Sequence, residues 1–312
     1  MDLSAKAAKI RKGPKRKSKL HNYYTTGDRF LLAFFTLVLV FAFIAVLYPL
    51  IYALISSFNK GMLPLSLIPN RITLAGYEVC LQYGYLWKGF LNSVIYMIVG
   101  TALALLVTIC CAYPMSLPLR LGGVMAVICM FTMYFDGGLV PTYLWMKQLG
   151  LYNTMWALVL PASLSVYNML VMRSYFTTAI PGDLREAAEL DGAGEMTYLM
   201  RIVLPLSLSV IAVVALYYAS ALWSSYFQAS IYIKDREKLP LANVLRELLV
   251  QSQSLSMENN VTLDSTTQAL MEKRAEVMRY SLIIVSSLPV MCLYPFVQKY
   301  FVKGVMIGAV KG

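Results

Sequence analysis

Apolar positions in this chain run on in long blocks rather than alternating. Nearly charge-free stretches extend from about Phe30 to Phe58, Phe90 to Leu117, Gly122 to Trp145, Asn153 to Met172, Val203 to Phe227 and Tyr280 to Phe301. A helix rises about 1.5 Å per residue and the bilayer core is about 30 Å thick, so a span needs about 20 apolar residues. The pattern therefore predicts six membrane-crossing helices. In lipid only helices and closed barrels satisfy their own backbone, and continuous rather than alternating apolar runs point to helices. The fold class expected is an all-α polytopic membrane protein, with a transmembrane domain over 30–302, a preceding tail 1–29 and a following tail 303–312.

Two interruptions stand out. Between the fourth and fifth runs, residues 181–205 become charged, small and turn-forming. Pro181 suits a helix's first turn, Asp183 suits the positive end of its dipole, and Gly192 and Gly194 read as its stop. The helix so bounded carries Leu184, Ala187, Ala188 and Asp191 on one face, at i, i+3, i+4 and i+7. The two alanines leave that face shallow enough for another protein to approach closely. A second short helix, Glu195 to Arg201, leads into the fifth run. The other interruption, 229–279, is too long for a simple link. Leu241, Val244, Leu245, Leu248 and Leu249 give Leu239 to Val250 a helical period after Pro240. Ser252 to Thr267 is polar and expected to be mobile, and Thr267 to Arg279 reads as a further helix. Such a loop fits either a cap or partner seat, or a passive surface.

Composition agrees: 59% hydrophobic and 14% charged residues depart from the about 45–50% and about 25% of soluble domains. The net charge of +11 would suit a nucleic-acid partner if it were spread over a binding face. Instead nine Lys or Arg residues lie in the first 29 positions, directly before the first apolar run and without aromatic platforms. That is a cytoplasmic anchor under the positive-inside rule, with anionic lipid as its natural contact and no nucleic acid implied. The first run is too long for a cleaved leader. With the N-terminus inside, sixteen of the 27 Lys and Arg fall in cytoplasmic segments, which places hairpin 181–205 in the cytoplasm and 229–279 outside.

Candidate chemistry is sparse. Cys80, Cys110, Cys111, Cys129 and Cys292 form no CxxC pair and read as small buried hydrophobes, so neither a disulfide framework nor a metal site is expected. His21 is the sole histidine. No phosphate loop, HExxH or GxSxG motif occurs, so this chain is not expected to bind and hydrolyse ATP by such a loop, or to be an enzyme. Asp136 is the one acid within a predicted span; it suits a polar substrate path, or a helix cap in the headgroup region. Tyr218 and Trp223, in an aromatic cluster near the outer end of span five, suit either sugar stacking or an interfacial belt.

Glu186-Ala187-Ala188, three residues, Gly192, nine residues, then Ile202, one residue and Leu204-Pro205 resembles the EAA loop of ABC-importer permease subunits at every defining position. Phe135 to Pro141 and Tyr300 to Gly312 resemble carbohydrate importers, and in particular the second, G-type permease of maltose-type systems. The resemblance covers nearly all of the chain after the basic tail. It implies a multi-pass plasma-membrane subunit of a bacterium with both termini cytoplasmic. It also implies a second, different permease, two ATPase subunits that use ATP and Mg, an external solute-binding protein and a carbohydrate substrate. Glu186, Ala187, Ala188, Asp191 and Gly192 would then form the ATPase-docking element, and this chain would bind no cofactor. The C-terminal glycine-rich tail resembles one that reaches between the ATPases. A permease for another solute is the nearest rival. A membrane enzyme or sensor would show clustered His, Asp or Cys, and a secondary transporter internal repeats and midplane charges, neither of which this chain has.

Overall fold

The computed structural model describes residues 26–58, 72–118, 120–135, 137–258, 277–289, 291, 292, 295 and 298. The basic tail, Asp136 and the C-terminal tail lie outside the described residues. Two units are distinguished, one ending at Ala53 and one starting at Leu54. The first unit contributes most of α1, Thr26–Ser57, whose apolar side chains from Phe30 to Ile51 are exposed.

In the second unit, α2 (Ala75–Gln82) leads into α3 (Gly84–Ser116), a helix of 33 residues. Next come α4 (Arg120–Tyr134), α5 (Leu139–Gln148), α6 (Trp156–Val159) with a 3-10 turn at Pro161–Ser163, and α7 (Val166–Ala179). The hairpin supplies α8 (Asp183–Leu190), α9 (Glu195–Tyr198), a π turn at Leu199–Val203, and α10 (Leu204–Leu206). The chain then forms α11 (Leu208–Trp223), α12 (Tyr226–Tyr232), α13 (Leu241–Glu258) and α14 (Val277–Pro289).

α3 is the central element, packing on α7, α11 and α13. Small residues allow this. A Cβ on Gly100 would stand 2.5 Å from Leu222 Cδ1, and one on Gly89 would stand 2.9 Å from Val244 Cγ2 and 3.3 Å from the Leu241 Cα. The largest core cluster joins Ala104, Ala112 and Met115 of α3 to Met169 and Met172 of α7, Val210 and Val214 of α11, and Ala188 of the hairpin. One buried polar contact crosses it: the Tyr218 and Thr108 hydroxyls lie 2.7 Å apart, and the Ser165 N–H donates to the Tyr218 hydroxyl at 3.0 Å. Such a group must be partnered when removed from water.

Several expected boundaries shift for local reasons. The second span starts at Gly84 rather than Phe90, because Lys88 keeps its ammonium exposed in a pair with Glu237. The single third span is two helices instead, α4 and α5, with Phe135, Gly137 and Gly138 outside both. Gly138 adopts φ +89°, which no continuing helix allows. The fourth span is not closed by Arg173. Its two parts meet at a 42° bend and α7 continues to Ala179, while Arg173 Nε donates to the Met115 carbonyl at 2.8 Å. The cation thereby meets the negative end of α3. The fifth run does not begin straight from Val203: the hairpin's second arm meets α11 at an 80° bend. Pro205 has no N–H to give the preceding turn, and the π turn and Ser207 absorb the change of direction. Residues 252–258, expected to be mobile, continue α13. The rest of that polar stretch, most of the following expected helix and the end of span six fall outside the described residues.

By length and composition, α1 and α3 are each able to cross a membrane alone, and three bent pairs would serve as spans if each pair counts as one. The described part of α14 is shorter.

Candidate functional site

The hairpin owes its turn to Gly192, which takes φ +73°. The Gly192 N–H donates to the Glu189 carbonyl at 3.0 Å and the Ala193 N–H reaches back to the Ala188 carbonyl at 2.9 Å. These two bonds form a Schellman ending to α8 and satisfy two of its last carbonyls. At the other end Asp183 and Glu186 occupy the first turn, where the helix dipole favours negative charge.

Charge ties the hairpin together and to α3. Arg185 Nε donates to Glu189 Oε1 at 2.9 Å, one turn along α8, and its Nη2 donates to Glu195 Oε1 across the turn. The other oxygen of Glu195 accepts from the Tyr113 hydroxyl at 2.5 Å, close to the end of α3. The hydrogen bond to Glu189 is the largest influence raising the Arg185 pKa, so the guanidinium stays charged. Alongside lies a cavity of about 310 Å³ lined by Tyr113, Phe176, Pro181, Arg185, Glu186 and Tyr198 among others.

The structure divides the residues expected on the docking face. Glu186, Ala187, Asp191 and Gly192 are exposed. Ala188 is only 6% exposed and packs into the core cluster, so this small side chain seats the hairpin on its own protein. The shallow face expected from the sequence is thus split between seat and surface. Leu190 at 89% exposure, Met196 at 67% and Met200 at 56% were not singled out from the sequence. Their signal was available: large apolar residues in a charged turn, on positions with no periodic claim to the core.

The substrate-path candidates do not converge. Tyr218 is buried at 3% with its hydroxyl engaged as described above. Trp223 packs edge-on against Phe90, with ring centroids 6.1 Å apart. Asp136 lies outside the described residues. At the far end of α3 from the hairpin, a second cavity of about 370 Å³ lies among α5, α6, α11 and α12. That end is also where α3 holds the segment leading to α13. Asn92 Nδ2 donates to the Glu237 and Leu239 carbonyls at 2.7 and 3.2 Å, the Tyr96 hydroxyl donates to the Lys238 carbonyl at 2.8 Å, and Ser93 Oγ accepts from the Leu241 N–H at 2.8 Å. Asn153, at φ 61°, accepts from the Lys234 and Asp235 N–H groups through Oδ1.

Long apolar helices, a stiff charged hairpin seated on their ends and a cavity at the opposite end define a membrane transport subunit driven from outside its own chain. Residues 88–307 match the family of binding-protein-dependent transport system inner membrane components, and this chain belongs to that family. It is 34% identical over 279 residues to the polygalacturonan/rhamnogalacturonan transport system permease protein YtcP of Bacillus subtilis (strain 168), covering 88% of this chain and 95% of that one. It is 28% identical over 229 residues to the diacetylchitobiose uptake system permease protein NgcG of Streptomyces coelicolor, covering 70% and 75%. Among solved structures, a bacterial ABC transporter involved in the import of the acidic polysaccharide alginate has a chain that superposes with a TM-score of 0.76 at 28% identity, covering 89% of this chain and 99% of that one. The chain is an ABC permease subunit and an integral membrane protein. Its family implies a solute-binding protein and ATPase subunits as partners.

Proposed function

We propose that this subunit pairs with a second, different permease to carry an oligosaccharide inward, and that hairpin 181–205 docks in a groove of an ATPase subunit. The observation that carries the docking role is the hairpin's exposed surface. Glu186 and Ala187 stand exposed on α8, with Leu190, Met196 and Met200 beside the turn, while Ala188 and the Tyr113–Glu195–Arg185 chain fasten the same hairpin to the core. A surface both adhesive and rigidly mounted suits the transfer of motion between subunits. The distribution of Lys and Arg supports six spans with this hairpin, and both chain ends, in the cytoplasm. The carbohydrate substrate is supported by what the relatives named above carry. ATP and Mg are used by the ATPases, and this chain binds neither. From its place in the sequence, Asp136 suits either a polar substrate path or a helix cap in the headgroup region.

The test is Glu186→Lys in the assembled transporter. Substrate-stimulated ATP hydrolysis is expected to vanish while the chain still inserts in the membrane. Normal stimulation in that variant removes the docking role.

A further inference from the structure

The hairpin is joined to the rest of the chain by its two ends, through Ile180 and Pro181 to α7 and through the bend at Ser207 to α11. A body held at two points can still turn about the line between them. What opposes that turn is of two kinds. One is apolar: Ala188, Tyr198, Leu199 and Val203 are buried in the cluster that also holds Tyr113, Met115 and Phe176. Burial of this kind is non-directional, so it resists separation more than sliding. The other is polar. Among the described residues, a single hydrogen bond joins residues 183–200 to α3, α7 or α11, and it runs from the Tyr113 hydroxyl to Glu195 Oε2 at 2.5 Å.

Hydrogen bonds are directional, and one to a carboxylate is stronger than one between neutral groups. Both partners of this bond are themselves held. Tyr113 is buried, and its ring meets Phe176 of α7 edge-on with centroids 6.5 Å apart. Glu195 is held on its other oxygen by Arg185, and Arg185 by Glu189 of its own helix. The bond therefore orients both arms of the hairpin and not one side chain. Tyr113 and Arg185 also line the cavity of about 310 Å³ beside the hairpin, a space that leaves room for a tilt. α3 is in turn locked on α11 through the Thr108–Tyr218 contact and through Leu222 against Gly100. What holds the Tyr113 hydroxyl in place is thus the helix core.

We propose that Tyr113 is a positioning residue for the docking hairpin: its hydroxyl, acting through Glu195 and Arg185, fixes the angle at which α8 is presented to the ATPase subunit. The proposal rests on the docking reading above. It goes further by assigning the orientation of the docking surface to a residue of α3, outside the hairpin and outside that surface.

The experiment introduces a photocrosslinker, Leu190→p-benzoylphenylalanine, at a site that is 89% exposed beside the hairpin's turn. The assembled transporter with its ATPase subunits is irradiated, and the captured ATPase peptides are mapped. This parent chain is compared with Tyr113→Phe, Glu195→Ala and the double variant made in the same background. Phenylalanine keeps the ring against Phe176 and removes only the hydroxyl, and the freed Glu195 carboxylate, 55% exposed, is taken up by water. Capture on one short ATPase peptide is expected in the parent. In Tyr113→Phe the ATPases should still co-purify, while capture at that peptide relative to its neighbours falls about 2- to 10-fold, the factor that the net worth of one hydrogen bond sets on an orientational equilibrium. The double variant should fall no further than Glu195→Ala, because both changes break the same contact. An undisturbed capture pattern in Tyr113→Phe overturns the positioning role and leaves the docking reading standing. So does a loss in the double variant that multiplies the two single losses. Failure of the ATPases to co-purify with Tyr113→Phe also overturns it, making the tyrosine a structural part of the seat. If the parent chain captures no ATPase peptide in an intact complex, the docking reading itself fails, and the positioning role with it.

Discussion

At its hairpin end, α3 is held through charge: Tyr113 meets Glu195, and Glu195 meets Arg185. At its other end the attachment is through backbone, because Asn92, Ser93 and Tyr96 bind main-chain atoms of residues 237–241. Backbone capture is insensitive to the identity of the captured side chains. It also satisfies main-chain groups that a packed loop would otherwise bury unpaired. A carboxylate shared between an arginine and a tyrosine depends on three side chains and is weakened by competing ions. The backbone arrangement makes a platform indifferent to ionic conditions, and the side-chain arrangement makes a mount whose strength depends on them.

Three substitutions sharpen that contrast, from the largest effect to the smallest. Gly89→Leu should be the most damaging. Even a Cβ there approaches Val244 Cγ2 to 2.9 Å, so a full side chain must push α13 off α3 at a cost of about 1–3 kcal/mol or more. Limited proteolysis of the intact membrane protein should then cut within 233–258, where wild type resists. Protection equal to wild type would show that the platform is not rigidly packed. Glu195→Ala removes one acceptor from Arg185 and one from Tyr113. With the carboxylate about half exposed, the loss should be about 1 kcal/mol. Hydrogen exchange in residues 183–200 should rise about 5-fold, and exchange in 237–248 should not change. Equal changes at both ends would mean that the two anchors are one cooperative unit. Lys88→Met breaks an ion pair whose side chains are 56% and 62% exposed. No measurable change in thermal stability is expected, because water screens that pair; a clear loss would show that charge also matters at the platform end.

The helices were legible wherever one physical rule acted alone. Apolar runs announced α1 and α3, and Leu241, Val244 and Leu248 announced α13 through simple periodicity. Breaks inside apolar runs were harder. Gly137-Gly138 stands shortly before Pro141 in the sequence, but only the φ of Gly138 makes the stretch a full stop. The bend at Ser207 was hidden because Leu, Ser and Val continue the apolar run on both sides of it. At the hairpin, Gly192 declared its turn through residue type. Ala188 and Ala187 are identical in sequence terms, and only packing sends one into the core and leaves the other exposed. Tyr113 was invisible as a hairpin partner, since 82 positions separate it from Glu195.

α3 acts as a ruler. Its 33 residues measure about 50 Å at 1.5 Å per residue, against a hydrocarbon thickness of about 30 Å. A tilt of about 20° leaves a projection of about 47 Å, so a surplus of about 17 Å must stand beyond the lipid core. The platform residues 237–241 are fastened to the first few turns of that helix, and their height above the bilayer is set by its length. Removing one residue between Tyr96 and Thr108 would turn the two anchors about 100° out of phase, whereas a change of seven would keep them nearly aligned and move the platform by about two turns. The spacing between the 237–241 platform and the hairpin's anchor on α3 is thus written in the length of one helix.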